Sequence, residues 1–178
     1  TGVDRRVVTP LDTPGAYPDY TSVVSPDDRF VAYLWARASP GGFELLITDL
    51  TSAHEAPPRV LFSNEDVRVP WVYDWSADGK SLAVALQRAD STFQLALVSV
   101  IDGSVHVLKT MDWRNQPTNL SFSPDGKYIA FNLPQGDSSA RDVFVMATDG
   151  TREIPAVVHK QDDVVLGWSP DGRQLLFT

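Results

Sequence analysis

Serine, histidine and aspartate are the residue types in this 178-residue chain that could carry catalysis, and their spacing argues against it. Serines recur at Ser25, Ser76, Ser123 and Ser169, each followed by Pro or Ala and then Asp. A hydrolase-type serine nucleophile needs a Gly-x-Ser-x-Gly elbow between a strand and a helix. The chain contains no such pattern. The aspartates of the same motif, Asp27, Asp78, Asp125 and Asp171, stand about fifty residues apart, and paired carboxylates must converge at one place to act as acid and base. His54, His106 and His159 are too far apart for metal-ligand spacing, and there is no cysteine to offer a thiolate. No phosphate-binding glycine loop or calcium loop is present. Asn119-Leu120-Ser121 matches a glycosylation sequon but falls in an expected inner strand. We therefore expect no catalytic residue, no cofactor and no metal.

These residues are better explained by the elements that carry them. Phe122-Ser123-Pro124-Asp125-Gly126-Lys127-Tyr128-Ile129-Ala130-Phe131 has three further copies, beginning at Val24, Trp75 and Trp168. Proline presets φ at the second turn position, aspartate bonds nearby backbone, and glycine accepts a positive φ. An apolar residue precedes the turn and a strand pattern follows it, so each copy reads as a hairpin. Asp28 replaces glycine in the first copy, a tolerable exchange because aspartate visits the left-handed region more readily than most residues.

The repeat serines are separated by 51, 47 and 46 residues. A second landmark keeps register with them: Gly103 and Gly150 both lie 27 positions after a repeat serine, in Asp102-Gly103-Ser104 and Asp149-Gly150-Thr151. Each unit then holds two hairpins, the four strands of one propeller blade. The fold class expected is all-β, a β-propeller of four-stranded antiparallel blades with about three and a half blades present. Irregular residues 1–19, or the end of a preceding blade, come before propeller repeats over 20–178. The blades are expected near 20–62, 69–109 and 117–157, with a partial one at 163–178. Ser81 to Leu86 is apolar on both faces, as a strand sandwiched between blades must be.

The repeat resembles the TolB-like, or PD40, branch of the WD40-related propellers, whose mark is Ser-Pro-Asp-Gly-Lys/Arg followed by a strand. Asp112-Trp113-Arg114 and Arg141-Asp142-Val143-Phe144 are similar to a subgroup of bacterial propellers that often form parts of larger proteins. Three and a half blades fall short of the four that a closed ring typically has, so a piece of a larger ring is expected. The competing arrangement has Arg5-Arg6-Val7-Val8 returning to complete the last hairpin in a small ring. Unpaired blade edges would favour self-association.

Composition narrows the partners. With 15 Lys and Arg against 23 Asp and Glu, the net charge is −8, and no basic stripe offers a nucleic-acid surface. No apolar run is long enough for a membrane-spanning helix, so no membrane insertion is expected. Binding is expected in the loops opposite the Ser-Pro-Asp-Gly turns, where length and chemistry vary from blade to blade. Arg68, Trp113, Arg114 and Lys160 are the candidates there, since Trp and Arg are enriched at binding hot spots. The reading is a non-catalytic module for a protein or peptide partner within a larger, extracytoplasmic bacterial protein. The alternative is the substrate-gating propeller of a prolyl-oligopeptidase-like serine peptidase whose catalytic domain lies outside this chain.

Overall fold

A computed structural model describes residues 18–37, 42–51, 57–134, 140–158 and 160–178. Arg5 to Val8, His54, His159 and most of the loops 51–58 and 135–141 lie outside the described residues.

The four repeat turns are built identically. The serine hydroxyl donates to the aspartate Oδ1 at 2.6–2.7 Å in every copy. That same Oδ1 accepts the main-chain N–H of Arg29, Lys80, Lys127 or Arg173. The serine Oγ in turn accepts the N–H of Phe30, Ser81, Tyr128 or Gln174. Serine and aspartate thus close the turn from both sides. Asp28 takes a φ of 57° where Gly79, Gly126 and Gly172 take 70°, 71° and 69°, so the first copy keeps the turn despite its exchange.

The first three turns each belong to a four-stranded antiparallel sheet, and the fourth to a two-stranded one. The first blade holds β1 (Pro18–Val24), β2 (Phe30–Ala36), β3 (Phe43–Asp49) and β4 (Arg59–Phe62). The second holds β5 (Val67–Trp75), β6 (Ser81–Arg88), β7 (Thr92–Ser99) and β8 (Val105–Asp112). The third holds β9 (Thr118–Phe122), β10 (Tyr128–Pro134), β11 (Arg141–Ala147) and β12 (Glu153–Val157). A two-stranded sheet of β13 (Val165–Trp168) and β14 (Leu175–Phe177) follows. The strands follow chain order within each sheet, as an up-and-down blade requires. Arg68, expected in a connection, instead lies on β5, which begins at Val67.

The core lies in slices between the blades. Leu82, Val84 and Leu86 of β6 join Leu45, Ile47 and Leu61 in the slice between blades one and two. Ala83, on the opposite face of β6, joins Phe122, Ile129 and Phe131 between blades two and three. This is why that strand is apolar on both sides. The last slice is smaller, with Ala130, Val143 and Val165 buried, and Leu176 of β14 stays 63% exposed. The first strands β1, β5, β9 and β13 contact one another in succession and form the inner wall. The fourth strands, at the far edge of each sheet, form the rim.

Candidate functional site

Antiparallel order places the repeat turns and the β3–β4, β7–β8 and β11–β12 turns on one face. Hydrogen bonds confirm it: Val100 N–H donates to the Lys80 carbonyl at 2.9 Å, and Thr148 N–H to that of Lys127 at 2.9 Å. Asp49, Asp102 and Asp149 reinforce these turns, each accepting the hydroxyl and the N–H of the residue two further on. Those bonds hold Asp49 and Asp102 at a pKa of about 2, with the partner hydroxyl as the main cause. His106 is exposed on the rim strand β8.

The connections between blades share the other face. Ala89 N–H, in the β6–β7 turn, donates to the carbonyl of Asp66 at 2.8 Å, and Asp163 N–H to that of Arg141 at 2.8 Å. Arg68, Trp113, Arg114 and Lys160 all project from this face. Arg68 is exposed and donates to the carbonyl of Ala89 at 3.2 Å. Trp113 is 62% exposed, so it does not pack between blades. The Arg114 guanidinium lies over its ring, 5.2 Å from the centroid. Asp112 Oδ1 accepts the N–H of Arg114 at 2.9 Å and fixes the base of this pair. Lys160 is exposed in the connection to β13. Trp113 and Arg114 form one unit, while Arg68, on β5, and Lys160, in the connection to β13, stand apart from it.

The inner wall holds a second polar site. Tyr73 and Asp74 of β5, Asn119 and Ser121 of β9, and Val165 and Leu166 of β13 line a recess of about 310 Å³. Asp74 Oδ1 accepts the N–H of Trp75 and Oδ2 that of Phe122, both at 2.8 Å. Burial raises its carboxyl above the usual range, against the two N–H groups and the Ser121 hydroxyl, which lower it. No Lys or Arg pairs with Asp74 among the described residues. Asn119 holds a φ of 51°, unusual for a residue within a strand. None of the residues lining this recess is among the candidates that the sequence suggests. Its signal was the residue two before each repeat serine: Val23, Asp74, Ser121 and Gly167, of which one is charged.

Among the described residues no group of His, Asp or Glu could hold a metal ion. No family model matches the chain, and no curated protein matches it. Solved structures do. A structure assigned as TolB from Agrobacterium tumefaciens superposes with a TM-score of 0.72 at 20% identity, over 90% of this chain and 53% of that one. The fold is a TolB-like β-propeller. A structure assigned as dipeptidyl aminopeptidase IV from Bacteroides ovatus matches the propeller with a TM-score of 0.67 at 12% identity, over 97% of this chain and 33% of that one. Oligogalacturonate lyase from Vibrio parahaemolyticus gives a TM-score of 0.65 at 16% identity, over 96% and 48%. The propeller described here spans about half, or less, of the length of each of these proteins.

Proposed function

We propose that this propeller is a non-catalytic binding module that takes a protein or peptide partner on its connection face. The observation that carries the reading is the Trp113–Arg114 pair. A large aromatic ring stands 62% exposed with a guanidinium stacked on it, on a short link between two packed blades. Exposed aromatic and arginine anchors on a rigid scaffold supply most of the affinity in protein recognition. The repeat serines and aspartates are consumed by their own turns, which supports a role without catalysis. The resemblance to TolB supports a protein partner and an extracytoplasmic setting.

The test is comparative capture by the wild-type chain and by Trp113→Ala/Arg114→Ala. A partner held by the first and lost by the second, with both proteins folded, supports the reading. Equal capture by both removes the connection face from the proposal. The similarity to a dipeptidyl aminopeptidase keeps peptidase gating as the competing reading. A Gly-x-Ser-x-Gly elbow in coding sequence flanking this segment would decide in its favour.

A further inference from the structure

We propose that the inner-wall recess between β5, β9 and β13 binds a single primary ammonium group, with Asp74 as its counter-charge. The charge argument comes first. A carboxylate offers about four lone-pair sites, and Asp74 gives one from each oxygen to a main-chain N–H and a third to the Ser121 hydroxyl. One acceptor direction remains for the recess that Asp74 lines. One cation of the neighbourhood is engaged elsewhere. Arg141 donates to the Gln116 carbonyl and the Thr118 hydroxyl. Half-buried carboxylates without a cationic partner are costly, and the repeat does not demand one here. Val23 and Ser121 occupy the same place in the neighbouring blades, and both use the main-chain carbonyl instead.

Shape and lining narrow the ligand. At about 310 Å³ the recess is at the bottom of the range for small-molecule sites, room for one side chain or a small amine. Leu166 lies 56% exposed at its edge beside Val165, an apolar surface suited to a methylene stem. A lysine side chain and a free α-amine share the ammonium that Asp74 would hold. This site is separate from the connection face and does not depend on the reading given above.

The experiment is a titration of the 178-residue chain, followed by tryptophan fluorescence and amide NMR shifts. The probes are N-acetyl-lysine methylamide, glycine methylamide and, as the uncharged control, N-acetyl-norleucine methylamide. Saturable binding of the lysine probe alone assigns a side-chain ammonium, and of the glycine probe an α-amine. Either supports the site if Asp74→Asn weakens it about tenfold or more, the worth of a charge-assisted hydrogen bond. Leu166→Trp, a surface change that fills the recess, should abolish binding even if Asp74→Asn proves unstable. Trp113→Ala should leave it unchanged. Absence of saturation with both cations, norleucine binding equally, or affinity unaffected by either recess variant overturns the proposal.

Discussion

Along the inner wall, where first strands meet, the seams between blades are joined by two different devices. At the first and third seams a tryptophan reaches back to the blade before it. Trp75 Nε1 donates to the Val23 carbonyl, and Trp168 Nε1 to the Ser121 carbonyl, both at 3.1 Å. At the second seam the equivalent residue is Phe122, which has no indole. There the main-chain N–H of Phe122 donates to the Asp74 side chain at 2.8 Å. In these three bonds the later blade donates and the earlier blade accepts, but the side chain has moved from donor to acceptor. The repeat therefore specifies turns uniformly and leaves each seam to a local solution. The solution at the middle seam introduces a charge to the inner wall.

The rim sharpens this contrast and gives the largest expected effect. Gly103 and Gly150 hold the same place in successive blades, at φ values of 72° and 75°. A Cβ on Gly103 would meet the Leu61 carbonyl oxygen at 2.0 Å, whereas on Gly150 the closest atom, Leu108 O, is 3.6 Å away. Gly103→Ala should cost about 2–4 kcal/mol from clash and strain together, and Gly150→Ala about 1 kcal/mol from backbone strain alone. Urea unfolding of the two variants measures the difference. Equal costs would mean that the first rim seam yields as easily as the second.

The tryptophan seams come next. Trp75 is buried within a large slice, and Trp168 is half-buried against a small one. Trp75→Phe should lose about 1–2 kcal/mol by leaving the Val23 carbonyl without its donor. Trp168→Phe should lose less, because water can reach its partner more easily. A larger loss at Trp168 would show that the terminal hairpin depends on this one bond.

The smallest effects are the pH responses, which should differ in sign between the turns and the middle seam. Hydrogen bonds from serine or threonine hydroxyls lower the folded pKa of the turn aspartates, to about 2 at Asp49 and Asp102. Their stabilisation is present above the unfolded value near pH 4 and is lost as pH falls toward 2. Asp74 is raised by burial, so its contribution is fullest below the ordinary aspartate range and is lost as pH rises through its folded pKa. The stability of Asp74→Asn relative to wild type should therefore improve between about pH 3.5 and 7. Urea midpoints across that range test it. A flat difference would mean that the two main-chain donors outweigh the burial.

How far the sequence could be read follows from the reach of each interaction. The repeat turns close within six residues, so serine, aspartate and glycine at fixed offsets reveal them, and Asp28 could be read as a substitute for glycine. The apolar run Ser81 to Leu86 likewise identified a strand covered on both faces. Seam partners lie 47 to 52 residues apart, and nothing local in Trp75 or Phe122 names Val23 or Asp74. The charged run Asn64 to Arg68 reads as a connection, yet pairing of Val67 with Arg88 carries β5 through Arg68. Trp113 was legible as a candidate by type, while its exposure and the stacked Arg114 required coordinates. The recess required the juxtaposition of three inner strands from three sheets.

The backward reach of the seam bonds bears on synthesis. Because each of these bonds spans about one repeat, a blade leaves the ribosome before the residue that fastens it exists. Val23 waits 52 residues for Trp75, Asp74 waits 48 for Phe122, and Ser121 waits 47 for Trp168. At about 5–20 residues per second, each nascent face stays open for roughly 2–10 seconds. That interval is long against hairpin formation, which takes about 1–10 microseconds. Each blade can therefore zip up by itself first and be fastened afterwards, one after another in the order of translation.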